Sequence, residues 1–205
     1  MSLIVKKNVD KYEQIYLKGQ NHHFPNLDLV RIQKMFLKNH LGKTLDYGFG
    51  TGENLIFLSK EGHKMFGIET SNTVIKLVKK KLKKNKVKSN LKLLKNEKKL
   101  PFKKNFFDNI VCVSVLSMLK TKKNVEHLLK EFKRVLKKNG NLIIDINGPK
   151  SSYFYNKKDF YSIKSKKNFS NLLKKNKFKI LSSGEVFTSY LAIKDHEFIL
   201  ISKNI

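Results

Sequence analysis

The chain has 205 residues, 40% of them hydrophobic, which is enough for one well-buried domain and too few for two ordinary ones. Its formal charge of +28 would suit a nucleic-acid binder, but lysine far outnumbers arginine, tryptophan is absent, and asparagine, isoleucine and phenylalanine abound, as AT-rich codons would produce. The charge is therefore read as compositional drift that attracts nucleic acid only non-specifically, through phosphates. No apolar run approaches the ~20 residues of a membrane span, and Met1–Lys7 holds only a short apolar stretch before lysines, so a soluble, cytoplasmic protein without a leader is expected.

Residues 1–24 carry little periodicity, although Tyr12 and Tyr16 are spaced to share one helix face. His22 and His23 sit in a loop ending at Pro25, and Asn26 is placed to cap a helix over Leu27–Asn39. Thr44–Tyr47 then reads as a buried strand interrupted by Asp46. Gly48, Gly50 and Gly52 alternate behind it, and a helical run from Asn54 is stopped by Gly62. Strand, glycine turn and helix start together place backbone N–H groups around a polar ligand at a sheet edge. Glu69 closes the next strand, His63–Ile68, about twenty residues on, where an acid that holds a ribose diol is usually found.

Ser71 caps a predicted helix over Asn72–Lys84, whose lysines 79–81, 83 and 84 form a solvated face. Leu91–Leu94 is a short strand, and a loop from Asn96 to Asp108 feeds Ile110–Val115, a continuous apolar run suited to a central parallel strand. The sole cysteine, Cys112, lies in that run and is expected to be buried filler. Asn124–Lys138 is an amphipathic helix stopped by Gly140. Asn141–Asn147 is the fifth strand, and an aromatic segment follows it. Lys166–Lys177 is helical, and the strands Phe178–Val186 and Glu197–Ser202 close the chain with no helix between them. Alternating strands and helices imply a doubly wound α/β sheet, and the last pair implies an antiparallel hairpin. A nicotinamide-binding domain would continue in parallel units.

The glycines spell D-x-G-x-G-x-G from Asp46 to Gly52, and Glu53 stands where a dinucleotide fingerprint has its last glycine. This pattern resembles motif I of the class I S-adenosylmethionine-dependent methyltransferases. The blocks LDYGFGTG (45–52), GIETS (67–71), 96–119 and FKRVLKKNGNLII (132–144) align in order with that class, and the last two are similar to segments of the type-eleven methyltransferase domain. The resemblance implies one Rossmann-like domain over 1–205, with strand order 3-2-1-4-5-7-6. It also implies an N-terminal arm over residues 1–26 and a substrate-side insertion over 148–165.

The resemblance makes S-adenosyl-L-methionine the expected cofactor. Asp46, Gly48, Gly50, Gly52 and Asn54 belong to its methionine loop, Glu69 and Thr70 to its ribose site, and Asn96 and Glu97 to its adenine site. Ser114, Leu116 and Tyr16 would line it. His23, His22 and Asp145 are the candidates for a general base. The sequence lacks an Asn/Asp-Pro-Pro-aromatic loop after the fourth strand and a second cysteine for covalent attack on a pyrimidine. A small-molecule, sugar or lipid-precursor acceptor is therefore expected. RNA methylation and a catalytically silent cofactor-binding regulator are the alternatives, and the protein is expected to be a monomer or a homodimer.

Overall fold

A computed structural model describes residues 23–95, 99–152, 161–190 and 193–205. Its strands are β1 (Lys43–Tyr47), β2 (Lys64–Glu69), β3 (Ser89–Leu93), β4 (Phe107–Cys112), β5 (Leu136–Asn147), β6 (Phe178–Tyr190) and β7 (Ile193–Asn204). Its helices are α1 (Leu27–Met35), α2 (Glu53–Lys60), α3 (Asn72–Lys84), α4 (Lys122–Val135) and α5 (Lys166–Lys175). The strands form a seven-stranded sheet in the order β3-β2-β1-β4-β5-β7-β6. β7 runs antiparallel to β5 and β6, while β1–β2, β2–β3 and β4–β5 are parallel. The expected α/β sheet with an antiparallel closing hairpin is the observed one. The chain divides into two compact units, Met1–Pro101 and Phe102–Ile205.

In the first unit the apolar faces of the helices close on the strands. Leu45 and Ile68 on the strands, with Leu55, Leu58, Val74 and Val78 on the helices, are at most 1% exposed. Each such side chain contributes roughly 1.5–3 kcal/mol by leaving water. Ser71 caps α3 by accepting from the Val74 N–H, as its position in the sequence suggested. Asn26 caps α1 by accepting from the Leu29 N–H. The predicted helix over 27–39 breaks, however. Phe36 leaves helical geometry and Leu37–Asn39 tightens into a 3₁₀ turn that buries Leu37 completely.

A buried polar chain ties α1 to the start of β1. The Thr44 hydroxyl meets His63 Nδ1 at 2.8 Å, and His63 Nε2 meets Gln33 Oε1 at 2.9 Å. All three residues are at most 4% exposed. Burial holds the His63 pKa below its ordinary value, against the raising effect of Glu61. The neutral ring therefore belongs to the folded state. As pH falls below about 6.5, the unfolded chain takes up a proton that the folded chain does not, and stability drops. Urea unfolding between pH 5.5 and pH 7.5, compared with a His63→Gln variant, is expected to show a steeper acid loss for the wild type. Parallel profiles would place the titration elsewhere.

The second unit corrects two expectations about the fourth helix and the strands around it. α4 ends at Val135 rather than Lys138, and Gly140 does not stop it. The final carbonyls of α4 are all taken. Asn105 N–H and Phe106 N–H donate to Arg134 and Val135, and the Asn204 side-chain amide donates to Lys133, Leu136 and Lys137. With those acceptors satisfied, Leu136 turns directly into β5 opposite Phe107. Asn139 takes the left-handed turn (φ 62°). Gly140 is needed for close approach, because a Cβ there would stand 2.9 Å from the Asp108 carbonyl oxygen.

β4 also lies earlier than expected, over Phe107–Cys112. Past it, Ser114 adopts φ 59° with its N–H donated to Asp145 Oδ1 at 2.7 Å, which takes this residue out of the strand. Cys112 is fully buried, as expected of filler.

Candidate functional site

The glycine loop leaves β1 by a sharp turn. Gly48, Gly50 and Gly52 all have positive φ (71°, 49° and 89°), a region that costs other residues steric strain. Gly52 is constrained twice, since a Cβ there would stand 2.8 Å from Val78 Cγ1 on α3. Gly48 N–H donates to the Ile68 carbonyl at 2.8 Å, pinning the loop to the end of β2.

Glu69, 9% exposed, faces the same loop. One carboxylate oxygen accepts the Gly50 N–H at 3.0 Å, and the other accepts from the Thr70 N–H (2.6 Å) and the Thr70 hydroxyl (3.1 Å). The acid that ends β2 therefore shapes the loop as well as facing it. Asp46, at the end of β1, is 2% exposed, and its Oδ2 has no hydrogen-bond partner among the described residues. Burial, with the negative Glu69 adding to it, pushes its pKa up to about 8. A buried carboxylate with an unmet acceptor beside a glycine cradle suits a ligand carrying a cationic donor.

The far end of the loop is braced by a contact that the sequence did not suggest. Lys81 bonds Glu53 and also donates to the Thr51 carbonyl at 2.9 Å. Its side chain is only 19% exposed, so the reading of lysines 79–81 as a solvated face fails for Lys81. Opposite charge across two elements was the available signal, but it is lost in a lysine run.

Other expected residues fall in different places. The Asn54 side-chain oxygen accepts the Asn26 N–H at 2.8 Å, fastening the start of α1 to the helix behind the glycine loop. His23 is exposed, just ahead of that tie. His22, Tyr16, Asn96 and Glu97 lie outside the described residues.

In the second unit, Asp145 is 2% exposed and holds the Ser114 backbone, while Ser114 itself is exposed and Leu116 is fully buried. A polar knot closes the end of β5. The Ser117 hydroxyl accepts the Asn147 N–H at 3.1 Å, and the Ser117 carbonyl accepts the Tyr161 N–H at 2.8 Å. Beside it, buried His196 accepts the Lys150 N–H at Nδ1 (3.2 Å) and faces Glu185 with Nε2 (3.0 Å). His196 was not singled out in the sequence. With both ring nitrogens engaged it fastens the residues after β5 to the hairpin. Among the described residues, no cluster of His, Cys, Asp and Glu could hold a metal ion.

The strand order, closing hairpin, glycine loop and facing acid define a class I S-adenosylmethionine-dependent methyltransferase. Residues 45–144, just under half of the chain, match the methyltransferase domain family, in keeping with that class.

Solved structures agree on the fold. A SAM-dependent methyltransferase from Methanosarcina mazei is 20% identical, with a TM-score of 0.70 over 83% of this chain and 97% of that one. An S-adenosylmethionine-dependent methyltransferase from Clostridium acetobutylicum is 15% identical, with a TM-score of 0.69 over 95% and 98%. The [4+2]-cyclase SpnF, 14% identical, matches at 0.69 over 85% and 79%, so the fold alone does not fix the chemistry. No curated protein matches the sequence.

Proposed function

We propose that this enzyme transfers a methyl group from S-adenosyl-L-methionine to the oxygen or nitrogen of a small-molecule, sugar or lipid-precursor acceptor. The observation that carries the cofactor half is the Gly50–Glu69 bond within a left-handed glycine loop, beside the unmet Asp46 oxygen. Asp46 would take the cofactor's ammonium, Glu69 its ribose hydroxyls, and the loop its carboxylate end. Bound there, the cofactor supplies a sulfonium-activated methyl for a single in-line displacement. The protein's part is to align the acceptor, exclude water and remove a proton.

For the proton, His23 is the proposed base. It is exposed and stands next to the Asn26–Asn54 tie, whereas Asp145 is buried and committed to Ser114. A small acceptor is supported by the sequence, which lacks an Asn/Asp-Pro-Pro-aromatic loop after the fourth strand and a second cysteine for covalent attack on a pyrimidine. Incubating a cell extract with the protein and methyl-labelled cofactor tests this. Label is expected in the low-molecular-weight or lipid fraction, with turnover lowered by His23→Ala at unchanged cofactor affinity. Label fixed at one nucleotide of an RNA would overturn the acceptor class. Binding of RNA that is lost steeply with added salt and transfers no label would mark the charge as non-specific.

A further inference from the structure

β6 is an edge strand. In the sheet order it has β7 on one side, and among the described residues no strand pairs with its other side. From Ser182 to Tyr190 it runs in unbroken register against β7, so its outer edge presents a straight row of backbone groups over that length. Natural edge strands are usually guarded by lysine, proline or a bulge. Here a register shift between Ile180 and Ser182 guards the start of the strand, but from Ser182 up to Lys194 there is no bulge, lysine, arginine or proline among the described residues, in a chain whose formal charge is +28.

Burial does not explain that gap. In the similarly long lysine-free stretches Thr44–Ser59 and Asn105–Leu119 only Asn105 and Ser114 are exposed, whereas Leu181–Glu185, Phe187 and Ser189 are all exposed. Phe187 is 53% exposed and Leu181 41%. Drift that adds lysine wherever water reaches would have filled these positions. Beyond Lys179, the one charge on the strand is Glu185, already engaged by His196 at 3.0 Å.

Charge also selects the occupant. An acidic partner would be drawn to the lysine-rich faces rather than to this strand. A second copy, carrying the same positive charge, is repelled least along a stretch with no lysine of its own, where the neighbouring Lys150 sets its ammonium 5.9 Å from the Phe187 ring centroid. Two-fold symmetry pairs a strand with itself in the antiparallel sense, setting the lysine-free stretch against its own image. We propose that β6 is the surface through which two copies of this chain associate edge to edge, continuing the sheet across a two-fold axis.

Sedimentation velocity at high micromolar concentration tests the pairing. A dimer is expected, and its population should grow as salt rises from about 0.05 to 0.5 M, because screening removes the long-range repulsion. The double variant Ser183→Lys, Ser189→Lys alters only exposed positions. It should keep the wild-type melting temperature and weaken the dimer roughly 100-fold, as like charges set across an interface do. The double variant Ser183→Cys, Ser189→Cys, whose two positions face each other across a two-fold axis at Val186, should form intermolecular disulfides under mild oxidation, since Cys112, the sole native cysteine, is buried. A wild type that stays monomeric at both salt concentrations would overturn the proposal. So would a dimer that survives both added lysines, or a Ser183→Cys, Ser189→Cys variant that does not cross-link.

Discussion

Glu69→Ala is expected to weaken S-adenosylmethionine binding by roughly 10²- to 10⁴-fold while leaving the protein folded. A carboxylate that accepts both ribose hydroxyls makes charge-assisted bonds of about 1.5–3 kcal/mol each, and 1.4 kcal/mol is a factor of ten. The structure adds a second route to the same loss. Glu69 already accepts the Gly50 N–H and the Thr70 N–H, so its removal also frees the glycine loop that the ligand needs ordered. Glu69→Gln separates the two effects. Its amide oxygen can still accept one backbone N–H, but its NH₂ group cannot accept a hydroxyl proton. An intermediate affinity is therefore expected, with thermal stability close to wild type. Calorimetric titration reads all three proteins, and affinity for Glu69→Ala within a few-fold of wild type would move the ribose contact to another residue.

What was legible in the sequence follows from how local each determinant is. Ser71 capping α3 and the run of apolar residues behind it are decided within one helix, and the observed bounds Asn72–Lys84 match the pattern. The closing hairpin was legible because no helical period fits between two β-rich stretches. The end of α4 was not, because its carbonyls are met by Asn204, about 70 positions away, and by the loop before β4. A glycine after a helix suggested a cap, and nothing local revealed that the cap comes from the penultimate residue.

The candidate site divides in the same way. Its loop and its acid stand at a recognisable spacing, and the structure joins them by one 3.0 Å bond. The Lys81–Glu53 brace was hidden by composition, since one useful lysine looks like its solvated neighbours. The Asn54–Asn26 bond was hidden by distance along the chain. Proton removal left the weakest trace, because a base is recognised by where the acceptor lies and not by spacing in one strand.

Asp46→Asn is expected to stabilise the ligand-free protein and to weaken its ligand binding. In the fold the Asp46 carboxyl is pushed up to about 8, chiefly by burial and secondarily by Glu69. In the unfolded chain an aspartate ionises near 4. Between those values the folded protein holds a proton that the unfolded chain releases, so the contribution of this group to stability declines as pH rises through the window. The sign is opposite to that of His63, whose contribution is lost as pH falls. At about 1.4 kcal/mol per pH unit, the cost of keeping Asp46 buried reaches roughly 4 kcal/mol at neutral pH. An asparagine has no such proton to lose, and allowing for its own buried amide leaves an expected gain of about 1–3 kcal/mol.

Denaturant unfolding from pH 6 to pH 9 should therefore show wild-type stability falling relative to the variant until about pH 8 and running parallel above it. Profiles that are parallel throughout would assign the group an ordinary pKa. The ligand reverses the comparison. Under the proposed role its ammonium meets an ionised Asp46, so binding near neutral pH expels the carboxyl proton. Titrations in buffers of different ionisation enthalpy should register that proton for the wild type. They should register less for the variant, whose affinity should be lower by about 10- to 100-fold for one lost charge-assisted bond. Equal proton release by both proteins would remove Asp46 from contact with the ammonium, while Glu69→Ala would still report on the ribose end of the site.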